Sequence, residues 1–201
     1  MNLLRRTVTR RQGLSLSIAA AGLMLAGCSS ENDALADQAN AGDNKGYIAG
    51  DGSVTEWKKE EREAPVEFTG DLFDGGTLSA SDLRGKPAML NFWYAGCAPC
   101  RAEAPHLIEL HDKFGKDIAF WGVNVRDEAG TAEAFERNFK IPYKSMKDAS
   151  GKVLLALSKT VPAQAVPTTL LLDKEGRVAA RVLGEIDSSI MKTMMQDLLG
   201  E

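Results

Sequence analysis

Two cysteines separated by two residues, Cys97-Ala98-Pro99-Cys100, are the part of this sequence whose types and spacing could do chemistry. Two thiols this close can pass between dithiol and disulfide, exchanging two electrons with another sulfur. They follow Ala88–Tyr94, a continuous apolar run of buried-strand length, and a helix is predicted from about Pro99 to Phe114, ending at Gly115. Cys97 then sits at a helix N-terminus, where unsatisfied N–H groups and the helix dipole stabilise a thiolate. Pro99 costs the first turn nothing, because its missing N–H has no intrahelical partner. On this reading Cys97 attacks, and Cys100, one turn deeper and less exposed, resolves the mixed disulfide. Two plainer readings stand beside it, half of a zinc site and an inert staple. Zinc needs four ligands, and no second cysteine pair exists. His106 and His111 lie five apart on the predicted helix, on different faces, and read as surface residues. A staple across so short a loop adds little through chain entropy.

The third cysteine, Cys28, stands in another setting. Arg5, Arg6, Arg10 and Arg11 precede an apolar run from Leu14 to Ala26, with no acid in the first 27 residues. That is the pattern of an export signal, too short to span a bilayer. It ends in Leu25-Ala26-Gly27-Cys28, which resembles the bacterial lipobox. The resemblance implies a signal peptide over 1–27, lipid on Cys28 and attachment to a membrane from outside the cytoplasm. A buried or free cysteine is the alternative. Thr9–Leu14 is also similar to a twin-arginine signal, with Gly13 out of pattern, so the export route stays open. Without the four arginines the chain holds 20 basic against 28 acidic residues, a net charge of about −8. Such a surface repels phosphate backbones and argues against nucleic-acid partners.

Residues 28–64 are polar and read as a tether, with a candidate small hairpin at 47–57 around Asp51-Gly52. From 65 to 201 strand-like and helix-like segments alternate, which predicts an α/β domain with helices on both faces of its sheet. Expected strands are Val66–Phe68, Gly76–Ser79, Ala88–Tyr94, Ile118–Val125, Thr168–Leu172 and Val178–Leu183. Besides the helix after Cys97, helices are expected at Thr131–Phe139, Ser150–Leu157 and from Asp187 or Ser188 to Leu199.

The run Asn91-Phe92-Trp93-Tyr94-Ala95-Gly96-Cys97-Ala98-Pro99-Cys100-Arg101-Ala102-Glu103-Ala104-Pro105 resembles the active-site segment of the TlpA/ResA/DsbE branch of the thioredoxin superfamily. Val166-Pro167-Thr168-Thr169 resembles the cis-proline loop of that family. The resemblance covers about 65–201. It implies a thioredoxin-like fold, a central mixed sheet flanked by helices, with the branch's extra strand-helix element between about Ala119 and Tyr143. Pro105 matches a proline that kinks the active-site helix. Asn91 stands where thioredoxin has a buried aspartate, and Gly96 where the family commonly has tryptophan. The resemblance assigns proton acceptance to Glu103, three residues past Cys100 and on the same helix face; an acid merely offsetting the dipole is the alternative. For Pro167 the resemblance implies a cis bond, with Val166 offering its backbone to an extended substrate; an edge-strand proline is the bland reading. Trp93 matches an aromatic beside the family's active site, although Trp93 and Phe92 also read as core, and Arg101 as solvated.

The resemblance therefore implies a membrane-anchored, extracytoplasmic thiol-disulfide oxidoreductase, a monomer with no cofactor and no metal. Its substrates would be protein disulfides or dithiols, including apocytochrome c, and a membrane donor similar to CcdA or DsbD would recharge Cys97 and Cys100. The direction is expected to be reductive, with secreted oxidase as an alternative, since related motifs span about −270 to −120 mV. A peroxiredoxin-like peroxidase would need threonine where Tyr94 stands. A Sco-like copper carrier would need a histidine late in the domain, and none follows His111.

Overall fold

The structure is a computed structural model, and it describes residues 53–201. Among them eight strands form one sheet: β1 (Val54–Glu56), β2 (Thr69–Leu72), β3 (Thr77–Ser79), β4 (Ala88–Trp93), β5 (Ala119–Asn124), β6 (Ser145–Lys147), β7 (Thr168–Leu172) and β8 (Val178–Leu183). Their spatial order is β1-β8-β7-β4-β5-β6-β2-β3. The pairs β4–β5 and β5–β6 are parallel and the others antiparallel. The helices are α1 (Ala98–Phe114), α2 (Ala129–Phe139), α3 (Lys152–Ala156) and α4 (Ser188–Leu199). This is the expected mixed sheet flanked by helices.

Strand β4 lies in the middle of the sheet and every one of its residues is buried, as its run of apolar residues around Asn91 requires. Alternation sends its side chains to opposite faces. Met89 joins Leu107, Leu110 and Phe114 of α1 and Met191, Met194, Met195 and Leu198 of α4. Leu90 and Phe92 join Leu83, Val123, Met146 and Val153 on the other face. Asn91 and Trp93 share the face of Met89, so the strand points two polar-tipped side chains toward the helix that carries the cysteines. Asp187 caps α4, its carboxylate accepting from the amides of Ser189 (2.8 Å) and Ile190 (3.1 Å).

Three expectations change at the edges. Val66–Phe68 is not a strand: Phe68 is buried as a core anchor, and the ladder begins at Thr69, where Gly70 pairs with Leu78. Strand β6 is an addition, only three residues long, inserted between β5 and β2. The domain also starts earlier than residue 65. Of the candidate hairpin at 47–57, residues 47–52 lie outside the described residues, and Val54–Glu56 pairs with Val182–Ala180 at the edge of the sheet. Arg62 fastens this segment: its guanidinium donates to Asp173 at 3.1 Å and to both carboxylate oxygens of Glu201 at 2.6 Å. No helix among the described residues is long and apolar enough to cross a membrane.

Candidate active site

The loop between β4 and α1 carries the cysteines. Cys97 and Cys100 are joined in a disulfide, their Cα atoms 5.3 Å apart. Cys97 is the N-cap of α1. Its sulfur accepts from the Cys100 amide at 3.2 Å, and its own amide donates to the Tyr94 carbonyl at 3.2 Å. The same Cys100 amide stands ready for a thiolate on Cys97 once the disulfide is opened. The Cys97 sulfur lies 3.8 Å from the carbonyl oxygen of Val166, and the Val166–Pro167 bond is cis. The Pro167 carbonyl accepts from the Gly184 amide at 2.8 Å, which ties the proline loop to the end of β8. Sequence spacing of about seventy residues is thus closed to contact by the β4–β7 pairing.

The two cysteines do not differ in exposure as expected. Cys97 is 0% and Cys100 2% exposed, and both belong to one apolar cluster with Tyr94, Val166 and Ala104. Trp93 is also inside this cluster, 4% exposed, its ring 4.5 Å from that of Phe135 and its indole N–H donating to the Ser145 hydroxyl at 3.2 Å. It packs in the same cluster as the disulfide. A β-carbon on Gly122 would stand 2.1 Å from that hydroxyl and 2.7 Å from the indole nitrogen, so the bond depends on glycine there.

Glu103 is fully buried under α1. One carboxylate oxygen accepts from the Asn91 side-chain amide at 2.8 Å and the other from the Ile186 backbone amide at 3.2 Å. Asn91 donates also to the Thr169 hydroxyl at 3.1 Å. Burial pushes the Glu103 carboxyl up to about 8, against the lowering effect of those two donors; Glu185 adds to the rise. That value lies near the ordinary range of a thiol.

The other residues named from sequence lie as follows. Arg101 is exposed, but its guanidinium stacks 5.0 Å from the Phe139 ring centroid and donates to the Ala95 carbonyl at 3.4 Å. His106 lines an open groove with Glu109 and Asp187 at the start of α4. His111 is not a free surface residue: it packs edge-on to Phe120 at 5.2 Å, and its Nδ1 is buried without a partner. Cys28 and the candidate signal peptide lie outside the described residues.

Sequence reasoning missed a second set of residues that hold the loop. Asn124, buried at the end of β5, accepts from the amides of Arg126 (3.1 Å) and Asp127 (2.7 Å). The Asp127 carboxylate accepts from the Asn124 side-chain amide at 2.9 Å and from the Ala95 amide at 2.6 Å. The turn after β5 thereby grips the cysteine loop. Its only sequence signal was Asn124-x-x-Asp127 following a strand, a common Asx-turn pattern.

A model of the AhpC/TSA family matches residues 61–181. The thiol:disulfide interchange protein DsbE of Pseudomonas aeruginosa is 30% identical over 122 residues, covering 60% of this chain and 64% of that protein. The thiol-disulfide oxidoreductase ResA of Geobacillus thermodenitrificans is 30% identical over 136 residues, covering 67% of this chain and 75% of that protein. The match thus spans a little under two thirds of the Pseudomonas relative. Among solved structures, a DsbF homologue from Corynebacterium diphtheriae matches with a TM-score of 0.64 and 30% identity, over 74% of this chain and 94% of that one.

Proposed function

The chain belongs to the AhpC/TSA family, and from that premise we propose that it is a thiol-disulfide oxidoreductase acting on protein disulfides outside the cytoplasm. The observation that carries the reading is the Cys97–Cys100 disulfide at the N-cap of α1, beside the cis Val166–Pro167 bond. The names of the relatives, thiol:disulfide interchange protein and thiol-disulfide oxidoreductase, support it.

In the reductive direction, the Cys97 thiolate attacks one sulfur of a substrate disulfide and expels the other as a thiolate. Where Glu103 is ionised, its carboxylate takes the proton of the Cys100 thiol, which attacks the Cys97 sulfur and releases the second substrate thiolate. Two electrons pass to the substrate, and the Cys97–Cys100 disulfide forms. Val166 and Pro167 border the reacting sulfur, where an extended segment can dock by strand addition. Lipid on Cys28 would hold the protein to the membrane, near a membrane dithiol donor that restores the thiols, and apocytochrome c is a substrate of the right kind. This placement rests on the N-terminal pattern and on the family resemblance.

Cys97→Ser is expected to abolish exchange, and Cys100→Ala to accumulate a covalent adduct with the natural substrate in cells. Retained exchange in the first variant refutes the nucleophile assignment, and absence of any adduct in the second refutes protein substrates. The direction is read from the equilibrium with glutathione: a potential nearer about −270 mV than −120 mV supports the reductant. Loss of membrane attachment in Cys28→Ala tests the anchor.

A further inference from the structure

Cys97 reaches its place through a four-residue turn. Its amide donates to the Tyr94 carbonyl at 3.2 Å, which leaves Ala95 and Gly96 as the two central residues. The Ala95 amide lies outside that bond at a half-buried position, where a main-chain donor needs an acceptor. The acceptor is the Asp127 carboxylate, at 2.6 Å. That carboxylate is itself held. The same oxygen accepts from the Asn124 side-chain amide at 2.9 Å, while the Asn124 side-chain carbonyl accepts from the Asp127 amide at 2.7 Å. Asn124 is fully buried at the end of β5, in register with Trp93 at the end of β4. The ends of two neighbouring parallel strands are thus joined through one carboxylate, two residues before the nucleophile.

In the disulfide form the Cys97–Cys100 bond also keeps this turn closed. Once that bond is opened, the place of the Cys97 sulfur beside the Cys100 amide depends on how firmly the turn is held. We propose that Asp127 is a positioning residue for the Cys97 thiolate: by holding the Ala95 amide it keeps the opened loop in the shape that sets the sulfur against the Cys100 amide. The proposal rests on the exchange reaction described above, in its first step. There the Cys97 thiolate bonds to one sulfur of a substrate disulfide, and the other substrate sulfur leaves as a thiolate. Asp127 can act on that thiolate in two ways of opposite sign. As a holder of the turn it favours the thiolate by keeping an amide donor on the sulfur; as a negative charge nearby it disfavours it. Of the other charged groups about the loop, Arg101 donates to the Ala95 carbonyl at 3.4 Å, Arg126 stacks 4.2 Å from the Tyr94 ring centroid and Glu103 is buried under α1. These are unchanged when only residue 127 is varied.

The test alkylates the reduced full-length protein with iodoacetamide over a range of pH, reading Cys97 separately by mass spectrometry, and equilibrates the same proteins with glutathione. Asp127→Ala is expected to move the Cys97 profile alkaline, with about tenfold less thiolate on its rising limb. It should also shift the glutathione equilibrium about tenfold toward the disulfide form, ~30 mV more negative. Asp127→Asn keeps an oxygen for the Ala95 amide and drops the charge, so it recovers the wild-type profile and equilibrium. A Cys97 profile that is unchanged or moved to acid in Asp127→Ala overturns the positioning role. So does an Asp127→Asn profile displaced from wild type as far as that of the alanine variant. Asp127 is half-buried, so water can take up the donors it leaves, and urea unfolding of the disulfide form checks each fold. Where Asp127→Ala does not fold, Asp127→Asn decides alone: wild-type behaviour supports the acceptor role, and a displaced profile overturns it. A wild-type protein that reduces no peptide disulfide overturns the exchange reading instead, and the alkylation comparison still decides the role of Asp127.

Discussion

Raising the pH from 5 to 7 should lower the stability of the disulfide form by about 3 kcal/mol through Glu103 alone. Burial lifts this carboxyl from 4.5 to about 8 in the folded protein. The native state therefore holds a proton that the unfolded chain releases above about pH 4.5. Stability from this group is complete below that pH and falls by ~1.4 kcal/mol per pH unit until the folded-state carboxyl ionises near pH 8. The side chain is 0% exposed, so solvent screening does not reduce the effect. Glu136 is raised too and adds in the same direction, whereas Asp173, Asp187 and Glu201 are lowered and act only at more acid pH. The difference between wild type and Glu103→Gln isolates the one carboxyl. Urea unfolding followed by tryptophan fluorescence at pH 5, 6, 7 and 8 should give converging curves, the variant losing its disadvantage as pH rises. Parallel curves across that range refute the burial argument.

Three other perturbations test the packing. Asn91→Leu removes a donor that lowers the Glu103 carboxyl and leaves the Thr169 hydroxyl without it, so the pH profile of exchange should move alkaline, with a stability loss of about 1–3 kcal/mol. Arg62→Ala uncovers Asp173, whose side chain is 3% exposed, but Arg177 still pairs with it at 2.9 Å. A loss of about 2–4 kcal/mol in urea unfolding and faster hydrogen exchange at the Trp57 amide, which donates to Ala179, are expected. Gly122→Ala drives a β-carbon into Ser145 and Trp93, and thermal unfolding should report a loss of about 1–3 kcal/mol as their hydrogen bond parts.

What the sequence disclosed follows from how far each signal reaches along the chain. β4 and α1 were legible because their apolar patterns are long and local, and the cysteine spacing fell at their junction. The helix spacing set Glu103 on the face of Cys100. It could not supply Asn91 and the Ile186 amide, which approach from twelve and eighty-three residues away. Strands β1 and β6 are three residues each, too short for any period, and exist through pairing with β8 and with β5 and β2. Arg62 finds Asp173 across 111 residues. Val66 and Phe68 alternate as a strand does, but the alternation marks core anchoring, with the Val66 amide donating to Gly176.

The stretch between β8 and α4 has two grips at once. Its Gly184 amide holds the Pro167 carbonyl, and its Ile186 amide holds Glu103. Two residues of backbone thus join the cis-proline loop to the buried acid. On the function proposed above, a segment that shifted Pro167 on docking would loosen the amide that favours the ionised acid, and the proton affinity of Glu103 would rise. Proton release by the disulfide form, measured by titration with and without bound peptide, should differ for wild type and coincide for Glu103→Gln.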